Sequence, residues 1–188
     1  MKHSFLYCLC VAAVAAVLFT ANASAADEVG YLRTRIDPSV AGIFVDGKYQ
    51  GTAAMFAFKE RAIKLKAGNY NVEIVDPRYK TIAAKVSITA GKYTVIRRSM
   101  QPGTVETDGP FGELVTQGFG NGAIYLNGKY YANTLEAGSS ARTLLLVPGK
   151  YKLKIVPVDG EAAREEEITI TADETLVLNK SGATVKRP

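Results

Sequence analysis

Ile43-Phe44-Val45-Asp46-Gly47-Lys48-Tyr49 recurs as Ile124-Tyr125-Leu126-Asn127-Gly128-Lys129-Tyr130, a shift of 81 positions. In each copy an apolar run meets Asp-Gly or Asn-Gly and then Lys-Tyr. Both turn residues tolerate positive φ, so the pattern predicts a tight β-hairpin. Asp46, Gly47, Asn127 and Gly128 are therefore structural turn residues, with the glycines supplying turn geometry.

The repeat extends outward from that hairpin. Ala67-Gly68-Asn69-Tyr70-Asn71-Val72-Glu73-Ile74-Val75 matches Pro148-Gly149-Lys150-Tyr151-Lys152-Leu153-Lys154-Ile155-Val156 at the same shift, and Ile88-Thr89-Ala90 matches Ile170-Thr171-Ala172 at a shift of 82. Three blocks in one order at nearly one spacing define two tandem domains, at 30–100 and 111–180. Between them, 101–110 holds two prolines and two glycines and reads as a linker. The remaining 181–188 reads as a basic tail.

Within each copy the apolar residues alternate. Tyr70, Val72 and Ile74 form one stripe, and Tyr151, Leu153 and Ile155 form its counterpart. Ala84–Thr89 and Tyr93–Met100 read as a strand pair turning at Ala90-Gly91-Lys92, as do Glu167–Thr171 and Thr175–Leu178 around Ala172-Asp173-Glu174. No stretch beyond the N-terminal region has helical periodicity. Short strands at this spacing predict an all-β chain of two small β-sandwich domains joined by a Pro/Gly linker.

The N-terminus sets the expected compartment. Lys2 and His3 precede an uncharged apolar run from Phe5 to Phe19, followed by Thr20-Ala21-Asn22-Ala23-Ser24-Ala25. This is the pattern of a signal-peptide helix cleaved after Ala25, which assigns residues 1–25 to export. The rival reading is an uncleaved anchor, since no charge falls between Lys2 and Asp27.

Both cysteines (Cys8 and Cys10) and the single histidine, His3, lie in that segment. The mature chain then has no disulfide, no zinc site of the usual ligand set and no histidine-based triad. No cofactor is expected, nor a conventional enzyme. An enzyme that works without His or Cys, such as a carboxylate-dependent hydrolase, is the alternative left open. The mature chain carries 22 basic and 18 acidic residues, a mild excess that favours anionic partners.

At the first hairpin, Pro38-Ser39-Val40-Ala41-Gly42-Ile43-Phe44-Val45-Asp46-Gly47-Lys48-Tyr49-Gln50-Gly51-Thr52 resembles the opening of the PEGA domain family. Pro38, Ala41, Asp46, Gly47 and Gly51 match, while Ser39 and Val40 replace the signature Glu and Gly. Ala67-Gly68-Asn69-Tyr70 resembles the family's Pro-Gly-x-Tyr element, and Arg78-Tyr79 stands near a common Gly-Tyr. The second copy is more degenerate. Phe119 falls where Pro38 does, Asn127 replaces Asp46, and Ala132 sits near the Gly51 position, yet Pro148-Gly149-Lys150-Tyr151 is the closer match to the second element. The resemblance implies a small β-sandwich of bacterial and archaeal surface and envelope proteins. The resemblance brings no known catalytic residues to this sequence.

Three residue groups are candidate contacts. Lys150, Lys152 and Lys154 share one strand face and suit a polyanion, or else pair across strands with Glu165 and Glu167. Tyr49, Tyr130 and Tyr131, just past the hairpin tips, suit a protein partner or a sugar ring, or else fold back on the sheet. Lys64, Lys66, Arg97 and Arg98 form a separate basic group in the first copy. Glu165-Glu166-Glu167 reads as a solvated strand face rather than a calcium site.

The expected function is an exported, non-catalytic envelope protein, periplasmic or on the cell surface, acting as a structural or protein-interaction module. The alternative is a binder of an anionic envelope polymer such as peptidoglycan, lipopolysaccharide or another glycan. The mature chain is expected to have no transmembrane segment. Nucleic acid is not an expected partner, because no recognition motif is present.

Overall fold

The computed structural model describes residues 28–103, 108–138 and 143–186. The proposed signal-peptide helix falls outside them. The first copy contains β1 (Val29–Asp37), β2 (Gly42–Val45), β3 (Lys48–Thr52), β4 (Ile63–Lys66), β5 (Gly68–Val75), β6 (Ile82–Ile88) and β7 (Tyr93–Ser99). The second contains β8 (Gly112–Gln117), β9 (Gly122–Leu126), β10 (Lys129–Asn133), β11 (Leu144–Leu146), β12 (Gly149–Pro157), β13 (Arg164–Ile170), β14 (Thr175–Asn179) and β15 (Gly182–Lys186). Two short 3-10 turns, Ala53–Phe56 and Lys59–Arg61, follow β3.

The predicted hairpins form. Asp46 and Asn127 have φ of 47° and 50°, followed by Gly47 at 76° and Gly128 at 80°. Each turn also ties into the next strand. The Asn71 amide donates to Asp46 Oδ1 at 2.8 Å, and the Lys152 amide donates to Asn127 Oδ1 at 3.0 Å. The Gly-x-Tyr elements are equally alike, because Tyr70 donates its hydroxyl to the Lys66 carbonyl and Tyr151 donates to that of Val147. These contacts give the short motifs a local structural purpose.

Each copy is a β-sandwich. In the first, a β4-β1-β7 sheet faces a β3-β2-β5-β6 sheet. In the second, β11-β8-β14-β15 faces β10-β9-β12-β13. Leu32, Ile36 and Ile96 of one sheet meet Ile43, Val72, Ile74 and Ile88 of the other in the first core. Leu114, Leu176 and Leu178 meet Ile124, Leu153 and Ile155 in the second. A core threonine recurs as well: Thr34 donates to the Ala53 carbonyl at 2.9 Å and Thr116 to that of Thr134 at 3.0 Å.

Two sequence expectations are corrected here. The strands expected to pair across the turns at 90–92 and 172–174 do not form hairpins. β6 stays with β5, while β7 crosses to the opposite sheet and runs parallel to β1; β14 likewise runs parallel to β8. Alternation marks both strands but carries no information about which sheet receives them. The crossing brings the start of β1 close to the turn. A Cβ on Gly30 would collide with the Thr89 carbonyl oxygen, and one on Gly112 with that of Thr171.

The second correction concerns the boundaries. The segment read as a basic tail contains β15, which pairs antiparallel with β14 from Thr175↔Lys186 to Asn179↔Gly182. The start of the linker also belongs to the first domain. Pro102 bridges Tyr79, and the Gly103 amide donates to the Arg78 carbonyl at 2.9 Å.

Candidate functional site

The outer faces of the two sandwiches carry the polar and aromatic residues not used by the cores. On β2, Ile43 and Val45 point into the first core, which leaves Phe44 on the other side. Phe44 is nevertheless only 6 % exposed, because the second domain covers it. It joins Tyr49, Ala123, Val75, Tyr125 and Tyr130 in a third apolar cluster between the domains.

Equivalent residues of the two copies meet in this seam. Tyr49 and Tyr130, 81 positions apart, have ring centroids 5.4 Å apart, and Phe44 packs edge-on to Tyr130 at 5.3 Å. Each aromatic pair of this kind adds about 0.5–1.5 kcal/mol beyond its buried area. Gly42 leaves the space that the Tyr130 ring occupies; a Cβ there would lie 2.7 Å from it.

Polar groups fix the seam's register. Buried Asn133 donates through Nδ2 to the Tyr49 hydroxyl and to Asn121 Oδ1, both at 2.7 Å, and its Oδ1 accepts from the Leu135 amide. Arg78, chelating buried Asp76, lies 3.8 Å from Glu136 of the second domain. Burial raises the pKa of both Tyr49 and Tyr130, so both phenols resist ionisation more than a free tyrosine does. Where Tyr49 and Tyr125 part, a cleft of about 400 Å³ opens, lined also by Asp46, Lys48 and Val158.

The three tyrosines thus have places within the chain. Tyr49 and Tyr130 fill the seam. Tyr131 is the extra residue of a bulge in β10, between the pairs Tyr130↔Tyr125 and Ala132↔Ile124, and it packs on the second core. Its hydroxyl donates to the Leu145 carbonyl at 3.0 Å. Hairpin-tip position alone does not distinguish an exposed tyrosine from one that a second domain covers.

The lysine stripe lies on the outer face of β12. Lys154 pairs with Glu165 at 2.7 Å and Lys150 with Glu167 at 3.5 Å. Glu165 also holds the Lys154 ammonium above its usual pKa. Lys152 lies between them, exposed, with Glu167 as its Cα partner in the register. Glu166 projects to the other face and meets Arg164 at 2.8 Å.

A larger basic surface lies on the β4-β1-β7 sheet. The odd-numbered residues of β1 face outward, as the burial alternation of Tyr31 to Ile36 shows. Lys64, Tyr31 and Tyr93 share a row; Arg33 lies beside Val95 and Arg35 beside Arg97. The Tyr31 and Tyr93 rings stack at 4.8 Å, with the Lys59 ammonium 5.7 Å from the Tyr93 ring. Arg33 donates to the Ala57 carbonyl. Tyr93 and Val95 remain 44 % and 45 % exposed. Of the four basic residues named from sequence, Lys64, Lys66 and Arg97 belong to this face. Arg98 alternates to the other side.

Arg33 and Arg35 were not among the sequence candidates. Their signal was available in the alternation Tyr31-Leu32-Arg33-Thr34-Arg35-Ile36. Recognising its importance required knowing that β7 lies alongside.

Among the described residues, no group of three or more His, Cys, Asp or Glu is placed to hold a metal ion, and no helix is long and apolar enough to cross a membrane. The fold and its faces define a tandem β-sandwich protein whose copies are packed through one outer face each. Over the first copy the chain is similar to a known family: the PEGA domain family model matches residues 30–104. Among solved structures, the Bacillus anthracis TIE protein is matched at 19 % identity and a TM-score of 0.29, over 81 % of this chain and 33 % of that one. The chain thus spans about a third of that structure's length. No curated protein matches the sequence.

Proposed function

We propose that this chain is an exported, non-catalytic module of the bacterial envelope that acts by binding another protein. The observation that supports this reading is a difference between the copies at one scaffold position. Where the first has Tyr31, Arg33 and Arg35 beside Tyr93, Val95 and Arg97, the second has Glu113, Val115 and Gln117 beside Thr175, Val177 and Asn179. The sandwich folds with either set, so folding does not account for the exposed arginines and apolar groups of the first. Partner binding does, since arginine and aromatic side chains with a desolvatable apolar centre are what interfaces use.

An anionic envelope polymer is the second reading, favoured by exposed Lys152 and by the arginines of the first face. Co-sedimentation of the protein with isolated envelopes separates the two. The module reading expects binding that is lost when the envelopes are treated with protease and retained in high salt. Binding that survives protease, disappears in high salt and is nearly abolished by Lys152→Glu would replace it with the polymer reading.

A further inference from the structure

The two sandwiches differ in how their equivalent sheets end. In the second, β15 covers the outer edge of β14, making four strands. In the first, the equivalent sheet stops at β7 with three. The described residues that follow β7 do not supply the missing strand: Gln101, Pro102 and Gly103 turn to meet Tyr79, Lys80 and Arg78. Among the described residues, then, no strand pairs with the outer edge of β7. An edge of this length presents unpaired backbone donors and acceptors, which is the template for strand addition.

The side chains at that edge define the incoming strand's chemistry. Arg35 and Arg97 lie directly opposite each other in the parallel pair, and neither has an acidic partner among the described residues. Like charges so placed are unfavourable until an anion joins them. At the other end of the edge the Lys59 ammonium lies near Tyr93, and between them Val95 is exposed.

We propose that the free edge of β7 accepts an extended acidic segment of a partner protein, which completes the sheet as β15 does in the second copy. The proposal rests on the module reading above and identifies its contact. Carried across the 82-residue shift, β15's register places Gly182, Thr184 and Lys186 beside Arg97, Val95 and Tyr93. A partner strand then carries an acid beside Arg97, a β-branched residue beside Val95 and a second acid beside Tyr93. β15 of a second copy has the wrong charge for this edge, since it brings Lys186 rather than an acid.

The probe is a synthetic peptide, Gly-Ser-Glu-Ala-Thr-Val-Glu-Ser-Gly, which is β15's sequence with glutamate at both outer ends. Two controls accompany it: one with lysine for both glutamates, and one N-methylated at the alternate backbone nitrogens that would face β7. Titrated into the purified protein, the acidic peptide is expected to bind saturably and to slow amide exchange across Tyr93–Ser99. Both controls are expected to bind about tenfold more weakly or worse. Arg97→Glu, at an exposed position, is expected to reverse the preference towards the lysine peptide.

Absence of binding, unchanged exchange in β7, or equal binding of the N-methylated peptide would overturn the proposal. Protection of β7 that grows with protein concentration alone would assign the edge to a second copy, and overturn it too. If protease-sensitive envelope binding persists in Arg97→Glu, the module reading stands and the β7 assignment fails. If that binding is not protease-sensitive, the module reading itself fails.

Discussion

Tyr130 shows how one residue reports on the seam. Burial against Gly42, Phe44 and Tyr49 makes its phenolate unfavourable and raises its pKa. A phenol whose pKa is higher folded than unfolded contributes stability that is intact below about pH 10, the unfolded value. Above that pH the unfolded state releases its proton first, and stability falls by about 1.4 kcal/mol per pH unit for each such phenol. Alkaline titration followed by tyrosinate absorbance and circular dichroism is therefore expected to show unfolding coupled to ionisation. Tyr130→Phe is expected to make the alkaline fall shallower without changing neutral-pH stability by more than about 1 kcal/mol. An unaltered alkaline limb would mean that Tyr130 is not kept neutral by the seam.

At the scale of elements, the crossing from β6 to β7 distinguishes two kinds of glycine. Gly30 is needed because the Thr89 carbonyl lies where a Cβ would be, and backbone cannot move aside as a flexible side chain could. Gly47 has open space around it and is needed only for its φ of 76°. Gly30→Ala is expected to cost about 1–3 kcal/mol, and Gly47→Ala about 1 kcal/mol. Urea denaturation midpoints compare the two; the reverse order would place the strain in the hairpin rather than the crossing. The hairpin glycines are legible in sequence because Asp-Gly and Asn-Gly are turn chemistry. Gly30 and Gly112 are not, since their constraint comes from a turn nearly 60 residues away in each copy.

For the whole molecule, the seam makes two domains depend on each other. Phe44 contacts neither core, yet it is as buried as residues that do. Phe44→Glu removes at least about 2 kcal/mol of apolar burial and puts a carboxylate between the domains, while both cores keep their residues. The native protein is expected to unfold in one calorimetric transition, and Phe44→Glu in two. A single transition in the variant would show that the domains are coupled elsewhere.

The sequence by itself determined the two copies, the hairpins and the inward stripes, because turn chemistry and period-2 alternation are local and repeat at one spacing. It also contained the cross-strand partners of the lysine stripe, since Glu165 and Glu167 follow the strand that carries Lys150 and Lys154. Tertiary structure alone decided that β7 and β14 cross to run beside β1 and β8, that Tyr49 is buried and Tyr130 partly buried rather than displayed, and that β15 closes one sheet while β7 remains an edge among the described residues. The physical reason is common to all three. Alternation assigns a side chain to one of two faces, but what covers a face or an edge depends on residues distant in the chain.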